Sequence, residues 1–216
     1  MTLNSPKSAI IRIAKQLHQK NMLAGADGNI SVRLPNQQIL ITASGKAKHA
    51  LSADDFALIS LDNETISGHP SSEKLMHTTV YTLCPKARVI IHAHPPTAIA
   101  WTIAHPESKA LPSDCMSELI LATGGIPIAD YARPGTAAMG EVLKTYLPQF
   151  RAIILARHGA LVWGESFDEV LNGIERVEHS ADILLRATLF GGLSHLPAAE
   201  TENLYHLREI IGEKLL

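Results

Sequence analysis

The sequence predicts an α/β fold on a largely antiparallel sheet, arranged either as a layered α/β/α domain or as an α+β domain. Three observations predict it. Strand-like and helix-like segments interleave along the chain, and the strand-like ones come in hairpins rather than in the βα rhythm of a parallel sheet. The third is content: 216 residues, 46% hydrophobic and 19% charged, suffice for a sizeable core. That length suits one domain over residues 1–216 better than two small ones.

Each element has a local reason. Ile10, Ile13, Ala14 and Leu17 recur at helical spacing between Ser8 and Lys20, and Gly25, Gly28 and Asn29 break the pattern. NISVRL and QQILIT flank the turn Pro35-Asn36 as a hairpin, and SADDFALISLD turns into a further strand. Pro70-Ser71-Ser72-Glu73 has the form of a helix start, with a serine cap and an acid in the first turn. Met76, Thr79, Val80 and Leu83 continue that helix until Pro85. ARVIIHAH is an apolar strand closed by Pro95-Pro96, which open a short helix. AIILARHGALVWG is one long strand or two short ones hinged at His158-Gly159. A long helix spans Ser166 to Leu189 with Val170, Ile174, Val177, Ala181 and Leu184 on one stripe, and a short final helix lies around Leu204 to Ile211.

Composition narrows the function classes. A formal charge of −2 with no basic run points away from nucleic acid and from anionic membrane surfaces. No window approaches the roughly 20 apolar residues of a membrane span, and the charged N-terminus is unlike a signal peptide, so a cytoplasmic protein is expected. Cys84 and Cys115 cannot build a disulfide framework and read as small, buried apolar residues of a reducing compartment.

The chain carries eleven histidines. His92 and His94 are two apart on a predicted strand, so their imidazoles project from one side at the strand's end, where they can converge on an ion. His158 ends the apolar run AIILA and precedes Gly159; an ionisable group at the end of a buried strand needs a partner. Together the three make a three-histidine set with an open coordination position, as in catalytic zinc sites, with manganese or cobalt as alternatives. His77 sits one turn beyond Glu73, where a structural role is expected. Gly28-Asn29, Thr42-Ala43-Ser44-Gly45 and Ser71-Ser72 are glycine- and hydroxyl-rich stretches able to present N–H and O–H groups to a phosphate, and Lys46 stands beside the second. Residue chemistry alone thus points to a metal-dependent enzyme for a small phosphorylated substrate.

Taken in order, GNIS, TASG, PSSEKLMH, VIIHAHPPTA, GGIPIADYARPGT and RHGALVWGESFDEVL make the chain resemble the class II aldolase/adducin family over most of its length. The resemblance implies a three-layer α/β/α fold, commonly a homotetramer with active sites between subunits. It implies zinc on His92, His94 and His158 and Glu73 as catalytic acid/base. Gly28, Asn29, Thr42, Ser44, Gly45, Ser71 and Ser72 would surround the substrate phosphate. Glu73 after the serine pair is similar to fuculose-phosphate aldolases, whereas ribulose-phosphate 4-epimerases carry aspartate there. Methylthioribulose-phosphate dehydratases tend to have Ser-Ala-Glu, but RHGALVWGES resembles them, and Glu118 stands roughly where they use a second acid/base. The implied activity is retro-aldol cleavage of a fuculose- or rhamnulose-phosphate-like ketose, with dehydration or epimerisation as alternatives. Adducin-like, non-catalytic members lose the metal ligands; this chain keeps all three.

Overall fold

The computed structural model describes residues 5–216. Helix α1 (Pro6–Gln19) begins at Ser5, whose hydroxyl accepts the Ser8 N–H, and buries the expected Ile10, Ile13, Ala14 and Leu17. Strands β1 (Asn29–Arg33) and β2 (Ile39–Thr42) form the hairpin, followed by β3 (Phe56–Ile59) and a short exposed β4 (Thr65–Ser67). Helix α2 (Lys74–Leu83) leads to β5 (Val89–Ala93), α3 (Pro96–Ala104), α4 (Ser117–Thr123) and the two-residue β6 (Ile128–Ala129). The one-turn α5 (Ala138–Glu141) precedes β7 (Ala152–Leu155) and β8 (Gly159–Gly164), and α6 (Phe167–Leu189) and α7 (Ala198–Ile211) complete the described chain.

The eight strands form one sheet in the order β4-β3-β2-β1-β5-β8-β7-β6. Every pairing is antiparallel except β6 with β7. Alternate residues of the central strands feed two separate cores. Ile30, Val32, Val89, Ile91 and Val162 face the layer of α1, α3, α4 and α6. Ile39, Ile41, Ile90, Ile153 and Leu161 face α2 and α5. The result is the expected α/β/α sandwich around a largely antiparallel sheet.

One open alternative is settled and two local expectations change. AIILARHGALVWG is two strands, because the turn at residues 156–158 folds β8 back against β7, with Arg157 at φ 61°. The Pro70 segment does not start its helix on a serine cap: Ser71 Oγ accepts the Glu73 N–H, and the helix opens at Lys74 with Glu73 at the cap position. The last helix begins six residues earlier than expected, at Ala198.

Candidate metal centre and active-site cleft

Strand pairing builds the centre. Asn29 of β1 lies opposite His92 of β5, so the amide and imidazole share the sheet face covered by α2. His94, one residue beyond β5, points the same way as His92, and the β7–β8 turn delivers His158 beside them. The rings stand 4.8 to 5.0 Å apart between centroids, each inclined by 61–65° to the next. Their ligand atoms all lie within 4.8 Å of one another. Glycines make this approach possible. A Cβ on Gly159 would come within 2.9 Å of both His92 and His94 and 2.5 Å of the Ala93 carbonyl. Gly28, at φ +70°, would drive a Cβ to 2.6 Å from the His92 carbonyl.

Two rings are oriented from behind. His92 Nδ1 donates to the Ala160 carbonyl at 2.9 Å, and His94 Nδ1 lies 3.3 Å from an Asp27 carboxylate oxygen. Both contacts put the proton on Nδ1 and turn the Nε2 lone pair inward, the arrangement that metal-ligating histidines use. The Nε2 atoms of His92 and His94 are 3.2 Å apart. Burial lowers the pKa of His92 to about 3 and lowers that of His94, so both are neutral and fit for ligation. Three imidazoles converging on one point, with an open side, fit a divalent cation of the zinc type.

Glu73 faces the open side. Its carboxylate oxygens are 3.4 Å from His92 Nε2 and 3.3 Å from His158 Nε2. Asn29 Nδ2 donates to Glu73 at 2.7 Å. Burial opposes charge on Glu73, but the hydrogen bond from His158, the potential of His92 and His158, and the Asn29 amide outweigh it and bring its pKa down to about 2. Behind Asn29 runs a buried chain: His77 Nε2 donates to the Asn29 carbonyl oxygen, and Ser31 Oγ pairs with His77 Nδ1 at 2.7 Å and with Tyr81 Oη at 2.9 Å. His77, fully buried and pulled by burial to a pKa of about 4, therefore fixes which way the Asn29 amide faces.

The cleft over this centre has a volume of about 360 Å³. Gly28, Asn29, Ser44, Gly45, Ser71, Ser72 and Glu73 all line it, with His94 and His158. Two expected residues lie elsewhere. Thr42 is fully buried, and its hydroxyl accepts the Ile30 N–H at 3.3 Å inside the sheet. Glu118 opens α4 in the opposite helical layer, exposed, with Ser117 Oγ at 3.1 Å. Asp27 and Lys48 line the cleft without having been singled out from the sequence. Lys46, the lysine the sequence pointed to, pairs with Asp55 at 2.9 Å instead. Lys48 is buried; its ammonium donates to the carbonyls of Ala26 at 2.7 Å and Lys46 at 2.9 Å, and burial lowers its pKa against the pull of Asp27 and Glu73. An ammonium carries three protons, so these bonds leave one for a ligand.

Comparison with known proteins fits this architecture. The chain is 28% identical to the 3-oxo-tetronate 4-phosphate decarboxylase of Escherichia coli K12, covering 83% of this chain and 86% of the relative. It is 30% identical to the methylthioribulose-1-phosphate dehydratase of Yersinia enterocolitica, covering 82% and 90%. A solved L-fuculose 1-phosphate aldolase superposes with a TM-score of 0.83 at 27% identity, covering 94% of this chain and 95% of that one. Residues 8–185 match the family model described as class II aldolase and adducin N-terminal domain, and the chain belongs to that family.

Proposed function

We propose that the protein is a divalent-metal-dependent lyase that cleaves a carbon–carbon bond in a small phosphorylated keto-sugar, a ketose 1-phosphate in the first instance. One observation carries this reading: three imidazole nitrogens and the Glu73 carboxylate meet at one place in a cleft whose lining includes serine hydroxyls, glycines, Asp27 and a buried lysine. His92, His94 and His158 would hold the ion, with zinc the best match to three imidazoles and an open position. When bound, the ion supplies a Lewis acid for the substrate's carbonyl oxygen.

The remaining steps belong to side chains. Ser44, Ser71, Ser72 and the Gly45 backbone offer donors for the phosphate, and Lys48 supplies the positive charge. In cleavage, the bond between the carbons α and β to the carbonyl breaks and its electron pair stays with the α-carbon. The β-hydroxyl proton leaves to a base, and that carbon departs as an aldehyde. Glu73, ionised at rest, takes up a proton and delivers it to the α-carbon; in the condensing direction the ionised carboxylate removes it. Asn29 and His77 hold Glu73 in place for both.

A second reading, decarboxylation of a phosphorylated 3-oxo acid, is favoured by the name of the E. coli relative and by the cleft itself. The carboxylates lining the cleft are Glu73 and Asp27, and Asp27 is engaged with His94. Loss of carbon dioxide leaves the same electron pair on the α-carbon but requires no base for a hydroxyl proton. The test is a chelator-stripped and zinc-reloaded sample offered ketose 1-phosphates and 3-oxo-acid 4-phosphates, with aldehyde, carbon dioxide and water loss read side by side. We expect zinc-dependent aldehyde release. Carbon dioxide release alone selects the second reading, water loss alone overturns both, and full activity without metal ends the metal-centre assignment.

A further inference from the structure

We propose that Asp114, Cys115 and His195 form a second divalent-cation site, of zinc type, that ties the segment between α6 and α7 to the start of α4. Asp114 and Cys115 lie in a 3₁₀ turn at Ser113–Cys115, and His195 comes from the connection before α7. The ligand atoms of the three lie within 4.8 Å of one another. Cys115 was expected to be a buried apolar residue; it is half-buried, packed against the core on one side with its sulfur beside His195.

The geometry separates a cation site from a nucleophile. In a Cys-His-Asp relay the two ring nitrogens face different partners, the thiol on one and the carboxylate on the other. Here both face the same nitrogen: His195 Nδ1 is 2.9 Å from Asp114 Oδ2 and 3.7 Å from Cys115 Sγ. An ion that displaces the Nδ1 proton and the Cys115 thiol proton, both released to solvent, would engage all three at once. Tetrahedral zinc sets a sulfur and an imidazole nitrogen roughly 3.6 Å apart, close to the spacing found, and a nitrogen and a carboxylate oxygen roughly 3.4 Å apart, so Asp114 has only to draw back by about half an ångström. A mixed sulfur, nitrogen and oxygen set prefers zinc or cobalt over magnesium or calcium.

The backbone is already drawn together there. Leu196 N–H donates to the Asp114 carbonyl at 2.8 Å, and Ser113 Oγ and Tyr205 Oη of α7 are 2.8 Å apart. An ion would therefore bind a preformed turn, and solvent reaches it, since the Asp114 and His195 side chains are 44% and 56% exposed.

The experiment is titration of the metal-free, full-length protein with cobalt(II) under reducing conditions. We expect two equivalents, one of which brings a thiolate-to-cobalt charge-transfer absorption that three imidazoles cannot produce. Cys115→Ser should remove that absorption and its equivalent and leave the other; His92→Ala should do the reverse, so failure at one site is separable from failure at the other. Asp114→Ala and His195→Ala, both at solvent-exposed side chains, should each weaken the thiolate signal. A single equivalent without the absorption in the unaltered protein overturns the proposal. An absorption that survives Cys115→Ser, or that survives both Asp114→Ala and His195→Ala, overturns it as well, because the sulfur would then be Cys84 or a thiol acting alone.

Discussion

Glu73 and Glu118 are both acids at the start of a helix, and the chain treats them in opposite ways. Glu73 stands at the cap position of α2, accepts a hydrogen bond from the Asn29 amide and faces the rings of His92 and His158, with its side chain 11% exposed. Glu118 stands in the first turn of α4 in the opposite layer, open to solvent, and accepts a hydrogen bond from the neighbouring Ser117 hydroxyl. For Glu118 the helix dipole is a sufficient reason for an acid at that place. Glu73 is over-determined, since a carboxylate is buried here only because specific donors face it. Position on a helix thus says little about an acid's role, and what its oxygens meet says a great deal.

The largest effect that would sharpen this contrast is Glu73→Gln. The variant keeps size and an acceptor oxygen for Asn29 but cannot move the proton, so kcat should fall by roughly 10²–10⁴, the usual contribution of a general acid–base group. Metal content, measured by elemental analysis, should stay at the unaltered level because the three imidazoles remain. Retained turnover would demote Glu73 to a structural partner of Asn29 and erase its difference from Glu118. Next in size is Lys48→Met. Removing a buried cation from the proposed phosphate end should raise KM by about tenfold or more for a phosphorylated substrate and much less for its dephosphorylated counterpart, since charge-assisted hydrogen bonds contribute about 1.5–3 kcal/mol. Equal effects on both substrates would show that Lys48 only braces the Ala26 and Lys46 carbonyls.

How far the sequence carries differs residue by residue. His92 and His94 are legible because a strand's period of two settles their common side without any tertiary knowledge. His158 is legible because a polar group closing an apolar run needs a partner. Asp27 and Lys48 are not. An acid before a glycine turn and a lysine two residues from another look like solvated surface, and which lysine is buried depends on where the Gly25–Gly28 loop settles over the turn at Lys48–Ala50. Thr42 fails for the converse reason: a hydroxyl beside a glycine turn looks available, but its strand position turns it toward the Ile30 N–H. The sheet follows the same logic. Strands with strong apolar patterning are readable in place, whereas β6 is two residues long and owes its parallel pairing to β7, far along the chain.

His77 supplies a smaller test on the Glu73 side of the comparison. Its folded pKa of about 4 lies below the ordinary 6.5, so between those values the unfolded chain binds more protons than the native one. Stability is then lost as pH falls from about 6.5 to about 4, an effect on the order of 3 kcal/mol for a shift of this size. His77→Gln, which can still donate to Asn29, should flatten that part of the profile in metal-loaded protein, measured by urea unfolding across the window. An unchanged slope would mean that other groups carry the acid sensitivity.

The smallest expected effect is Glu118→Gln. An exposed acid with one neighbouring hydroxyl contributes little to stability, so Tm should stay within a few degrees, in keeping with surface changes of about 0.5 kcal/mol or less. Carbon–carbon cleavage should continue within a few-fold of the unaltered rate, because within one chain Glu118 does not line the cleft. Dehydration gives the opposite expectation, for a second acid/base has to serve the leaving hydroxyl, and the resemblance puts Glu118 in that role. Loss of turnover with metal and Tm intact would therefore break the contrast between the two acids. It would also say how, since an acid on the far layer can reach substrate only if a second copy of the chain brings its own Glu118 to this cleft. Measuring the rate against protein concentration would then expose the subunit dependence directly.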